Sequence, residues 1–130
     1  MTVLVEPDAI AMRIREYARQ NPDLRNDRYN GRDGSVDGMC YCLAEAYWHA
    51  SGGLNSPLDI YCLSWSDVDP EYSGTHWYLR CTRREAWVDL GIESKSDGVT
   101  IPFSTGRRRA FITGYEPSNR TQRILNALDL

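Results

Sequence analysis

Three residues far apart along the chain, Cys40, His76 and Asp89, are of the types that together perform nucleophilic chemistry. A cysteine attacks as its thiolate, an imidazole takes the proton and later returns it to a leaving group, and a carboxylate fixes the tautomer and steadies the imidazolium. Cys40 lies close to the start of the segment DGMCYCLAEAYWHASGG, residues 37–53, which reads as a buried central helix. Gly38 loosens the chain before it, Asp37 is placed to cap its first amides, and Gly52-Gly53 suits its end. A thiol in a first helical turn lies near unpaired amide N–H groups and the positive end of the helix dipole, which favours thiolate over thiol. The Cys40 amide could also help to hold an oxyanion.

Whether His76 and Asp89 can meet depends on a hairpin. HWYLRC (76–81) and AWVDL (86–90) read as strands joined through Thr82-Arg83-Arg84-Glu85. Pairing Thr82 with Glu85, or Cys81 with Ala86, sets the same register: Tyr78 opposite Asp89 and Arg80 opposite Trp87. Side chains alternate along a strand, so His76, Tyr78 and Arg80 share a face with Trp87 and Asp89. His76 and Asp89 are then diagonal neighbours, within reach of each other. A single bulge would send them to opposite faces.

The remaining elements follow from pattern. Val3-Leu4-Val5 is an extended lead-in, and Pro7 suits the first turn of a helix carrying Ile10, Ile14, Tyr17 and Ala18, with arginines on its other side. Asn21-Pro22 ends that helix, and the polar stretch 21–37 reads as a long loop. Ile60–Leu63 is a strand and residues 64–75 are a second polar loop. Further short strands are expected at Gly98–Phe103 and around Ala110–Thr113. Pro117-Ser118 opens a last helix with Ile124, Leu125 and Leu128 as its apolar stripe. The expectation is a single α+β domain over residues 1–130, with a central helix packed on a small antiparallel sheet.

Composition excludes more than it identifies. A net charge of −3 gives no reason to expect nucleic acid or an anionic membrane as partner. No apolar run approaches bilayer length, and MTVLVEPDAI lacks the basic residues and apolar core of a secretory signal, so a cytoplasmic location is expected. Four cysteines without a CxxC pair, and only two histidines, fit zinc poorly, and neither metal nor cofactor is called for. Cys42, Cys62 and Cys81 read as small buried hydrophobes. His49, four residues after Glu45, is expected to hydrogen-bond near the helix end, although a metal-dependent hydrolase using His49, His76 and nearby carboxylates is a further option. Trp77, Trp65 and Asn30 are the candidate substrate-binding residues. Trp65 and Tyr72 lie in a loop near His76, and Asn30 or Trp77 could add an oxyanion donor. Arg107-Arg108-Arg109 reads as a solvated loop.

The order of helix-borne Cys, strand His and next-strand Asp resembles that of transglutaminase-like cysteine enzymes of the papain-like superfamily. GMCYCLAEAYWHASGG, THWYLR and AWVDL are also similar to segments of a group of uncharacterised phage and prophage proteins. Those carry a G-x-C-Y…E-A-x-Y-H…G-G segment, an HW-x-L-R strand and a V-I-D-P-T-like strand. GRRRAFITGYEPSNRTQRIL resembles their glycine-rich tail, so the likeness touches most of residues 38–126. It implies a papain-like core with Cys40, His76 and Asp89 as the catalytic set. After Asp89 this chain has Leu90-Gly91-Ile92 where transglutaminase-like enzymes often have Pro-Thr. The resulting expectation is a cysteine-dependent hydrolase or acyltransferase acting on an amide or isopeptide of a protein or peptide, through a thioester. The alternative is a phage-encoded binding protein in the host cytoplasm that inhibits a host enzyme or defence complex, with loops 64–75 and 106–110 as its contact surfaces.

Overall fold

The computed structural model describes residues 1–25, 34–92 and 100–130. In chain order its elements are β1 (Thr2–Leu4), α1 (Ala9–Gln20), α2 (Cys40–Ala50), β2 (Leu58–Ser64), β3 (Thr75–Cys81), β4 (Ala86–Val88), β5 (Arg107–Arg108) and α3 (Asn119–Leu128). Three helices pack on a five-stranded sheet of order β1-β4-β3-β2-β5.

The hairpin forms in the expected register, with Cys81 opposite Ala86, Arg80 opposite Trp87 and Leu79 opposite Val88. Glu85, with φ of +49°, takes the left-handed turn that brings the chain back. β3 continues antiparallel to β2, from Leu58 opposite Cys81 to Ser64 opposite Thr75.

Two expectations about the sheet are corrected. The lead-in is a true strand, and β1 pairs parallel with β4, so the sheet is mixed rather than antiparallel. At the other edge the fifth strand is Arg107–Arg108, paired with Tyr61 and Cys62, not a segment near Ala110–Thr113. Only an isolated bridge, Phe111 with Gly114, lies there. Charged residues suit an edge strand because they discourage further pairing, which is why a basic run that reads as loop sits in the sheet. Of the strand expected at residues 98–103, the first two positions lie outside the described residues, and Phe103–Thr105 is a turn of 3₁₀ helix.

The sheet separates two apolar layers. Trp77, Leu79 and Cys81 face α2, and with Leu43, Ala46, Ile14 and Ile124 they form the larger core. Tyr78, Trp87, Leu63 and Trp65 form a smaller, mostly aromatic layer on the other face. Helix ends tie the helices together. Asp8, rather than Pro7, marks the start of α1; its Oδ1 accepts the Ala11 N–H at 2.9 Å and its Oδ2 accepts the Tyr47 hydroxyl at 2.6 Å. Glu45 on α2 is fully buried and receives the Ser118 N–H at 2.9 Å, the Ser118 hydroxyl at 2.6 Å, the Thr113 hydroxyl at 3.1 Å and the Tyr41 hydroxyl at 3.2 Å. Ser118 stands at the start of α3 as expected, but its hydroxyl caps no helix amide; it reaches Glu45 at 2.6 Å and the Thr121 hydroxyl at 3.1 Å. No described helix is long and apolar enough to cross a membrane.

Because one carboxylate satisfies four donors in the core, Glu45→Ala should cost about 2–4 kcal/mol of stability. The check is urea unfolding, where the midpoint should fall with an unchanged slope.

Candidate active site

Asp89 lies one residue beyond β4. Its N–H donates to the Leu4 carbonyl at 2.9 Å, so β1 holds the backbone that carries the acid. The carboxylate is fully buried and both oxygens are engaged. Oδ1 accepts the Gly91 N–H at 3.0 Å, and Oδ2 accepts His76 Nε2–H at 2.5 Å. A carboxylate acceptor there requires the ring proton on Nε2, which leaves Nδ1 as the second nitrogen.

His76 is 2% exposed on the aromatic face of the sheet. Its ring contacts Trp65, with centroids 4.8 Å apart, and Tyr78, 5.7 Å apart. Burial alone would lower the basicity of this imidazole. The Asp89 carboxylate outweighs burial, the Cys40 thiol adds to its effect, and together they lift the pKa to about 10.

Cys40 is the first residue of α2 and is partly exposed. The residue before it, Met39, is the N-cap and offers no side-chain acceptor to the first amides. The cap expected from Asp37 is therefore not made. Gly38, with φ of +75°, turns the chain, and Asp37 is buried upstream, its carbonyl accepting Arg25 Nε–H at 2.5 Å. The Cys40 thiol points to the start of β3, donating to the Thr75 carbonyl at 3.8 Å, beside His76. It thus lies at the rim of the sheet rather than in the apolar core. The other three thiols are buried, and burial pushes Cys42 up to about 12.

Two residues missed in the sequence hold these groups together. Gly91 packs against Cys40 so closely that an added Cβ would stand 2.8 Å from Cys40 Cβ and 2.9 Å from Cys40 Cα. Arg15, expected on the outer side of α1, is buried. Its Nε donates to the Leu90 carbonyl at 2.9 Å, Nη2 donates to the Ile92 carbonyl at 3.3 Å, and Nη1 pairs with Glu6 at 2.5 Å. A guanidinium can replace the missing strand partners of a chain leaving the sheet, a role that helix periodicity does not signal. The departure from Pro-Thr after Asp89 did mark the place of Gly91.

The substrate-side residues divide. Trp77 lines a cleft of about 490 Å³ beside Cys40, its ring edge-on to Tyr41 at 5.1 Å. Trp65 is not in that wall; it begins a 3₁₀ turn, is buried, and covers the imidazole instead. Asn30 lies outside the described residues. His49 does not bond Glu45, whose oxygens are taken by Ser118, Thr113 and Tyr41. The His49 Nε2 is buried without a partner, and burial lowers its pKa. Among the described residues no three His, Cys, Asp or Glu side chains are placed to hold a metal ion, which removes support from the metal-dependent option.

Comparison with protein-family models, with curated proteins and with solved structures gives no match for this chain.

Two outcomes follow from this packing. Gly91→Ala should destabilise the fold by about 1–3 kcal/mol and slow Cys40 modification, because the new methyl must push Cys40 away; unfolding and thiol-labelling rates check both. The folded state holds His76 protonated up to about pH 10, against an ordinary value of 6.5. The stabilisation from its pairing is therefore full below about pH 6.5 and is lost as pH rises through about 10. The stability gap between wild type and His76→Gln should shrink over that window.

Proposed function

We propose that the protein is a cysteine-dependent hydrolase or acyltransferase that cleaves an amide or isopeptide through a Cys40 thioester. The observation that carries this reading is the buried His76–Asp89 pair at 2.5 Å, with the Cys40 sulfur next to the imidazole at the rim of the sheet. In this reading the proton lost by Cys40 already rests on His76 Nδ1, so the resting site is an imidazolium–thiolate pair in which each ion stabilises the other. The thiolate attacks the carbonyl carbon and the oxygen becomes an oxyanion. The Cys40 amide, at a helix start with no side-chain cap, is placed to receive that oxyanion. As the intermediate collapses the C–N bond breaks, and His76 gives its proton to the departing amine. Water or a second amine then attacks the thioester, with His76 again taking the proton, and frees Cys40. Asp89 keeps the proton on Nε2 throughout, so that Nδ1 stays directed to the sulfur.

The order and separation of the three residues, together with a helix-borne cysteine over a sheet, support a papain-like, transglutaminase-like origin. The absence of a Pro-Thr after Asp89 is accounted for by Gly91, whose missing side chain admits Cys40.

The test is mass spectrometry after brief exposure to iodoacetamide at neutral pH. Cys40 should be labelled first, and His76→Ala should slow that labelling about tenfold or more. Preferential labelling of Cys42, Cys62 or Cys81, or indifference to the His76 change, sinks the reading. A biological effect that survives Cys40→Ser would point instead to a binding protein.

A further inference from the structure

Resting on that reading, the cleft beside Cys40 bears on what the acyl donor looks like. It runs between the start of α2, the start of β3 and the segment leading into α3, with Met39, Cys40, Trp77, Thr113, Asn119 and Arg120 among its walls. Arg120 is the one charged side chain among the described residues that line it, and no carboxylate does. One turn along α3, Arg123 is held by both Asp23 oxygens, at 2.5 and 3.0 Å. Arg120 has no ion pair or hydrogen bond with a described residue, although it is half-buried. Its charge reaches α2, where it acts on the Cys42 thiol. A second cation, the Arg109 guanidinium, rests 5.3 Å from the centroid of the Trp77 ring, although it does not itself line the cleft. Glu45, on the helix side, is sealed in the core and engaged by its own donors. A guanidinium with no partner among the described residues, in a concave wall whose described lining holds no acid, is suited to receive an anion beside the nucleophile.

We propose that this cleft selects an acyl donor bearing a carboxylate close to the scissile amide, with Arg120 as the residue that recognises it. Trp77 would pack against the intervening carbon chain and Asn119 border the carboxylate. The sulfur would then meet a carbonyl already oriented by its charged neighbour.

Two alkylating agents of similar shape separate this inference from the reading beneath it. Iodoacetate carries the carboxylate and iodoacetamide does not; both transfer a carbon to sulfur and release iodide. The ratio of their Cys40 labelling rates should fall about three- to fivefold in Arg120→Ala, the scale of a half-exposed charge pair. It should recover in part in Arg120→Lys and shrink with added salt in wild type. Taking the ratio cancels any change in the reactivity of the thiol itself, and an unchanged urea midpoint of Arg120→Ala serves as the control for folding. An unchanged ratio with a reactive Cys40 overturns the carboxylate inference and leaves the thiol chemistry standing. A Cys40 that reacts with neither agent defeats the underlying reading and the inference with it. Protection from iodoacetamide by two short peptides then locates the carboxylate. One is amidated and carries a glutamate; the other is neutral along its side chains and carries a free C-terminus. Whichever protects identifies the source, and protection by neither at millimolar concentration counts against the proposal.

Discussion

A buried imidazole bound to a buried carboxylate is the constraint around which this molecule is arranged. Taking either group out of water is costly, and their attraction offsets that cost only when the remaining polar atoms are also satisfied. Here they are. One Asp89 oxygen receives the imidazole and the other the Gly91 amide, while Trp65 and Tyr78 close around the ring. Apolar side chains of similar volume would stabilise a fold at least as well, so the pair is poorly explained as a device for stability. Its cost makes sense where a proton must be held near a reacting atom.

The pair also explains why the edges of the sheet are built as they are. Asp89 has left the β3–β4 ladder, so its backbone needs partners other than β3. β1 supplies one by running parallel to β4 and accepting the Asp89 N–H through Leu4, and Arg15 supplies others by binding the Leu90 and Ile92 carbonyls. Both reach across from the N-terminal part of the chain. Residues 2–15 therefore do more than cover the core: they set where the acid stands relative to α2.

How much of this could be read from the chain depends on how local the signal was. Strand alternation and a four-residue turn are local, so the pairing of Arg80 with Trp87 and the meeting of His76 with Asp89 were legible. The position of Cys40 at a helix start was legible for the same reason. A parallel partner such as β1 leaves no local trace, because three extended residues, Thr2, Val3 and Leu4, look the same whether paired or not. Arg15 reads as a solvated helix residue because periodicity records apolar positions and is blind to a guanidinium that replaces backbone partners. Asp37 failed as a cap because Gly38 turns the chain before the helix begins, a matter of backbone angle that composition cannot convey. Trp65 was correctly placed near His76, but proximity in sequence could not say whether it faced the substrate or the ring.

The sheet places the two halves of the proposed chemistry on different sides. The imidazole belongs to the aromatic layer, whereas the cleft and α2 belong to the helical layer, and Trp77, next to His76 in the chain, faces the opposite way. A thiol and an imidazole on opposite faces of a sheet can meet only past the end of a strand. Cys40 does this at the start of β3, where its sulfur reaches the Thr75 carbonyl. The crossing point has to be narrow, and Gly91 is what makes it passable: any side chain there would wedge apart the helix start and the loop carrying the acid. Substrate would then approach from the helical side while the proton is handled from the other, and water reaching the cleft would not reach the buried pair. That separation lets the imidazole keep its charge in a dry setting while the sulfur stays accessible, two requirements that a site confined to one layer could not meet together.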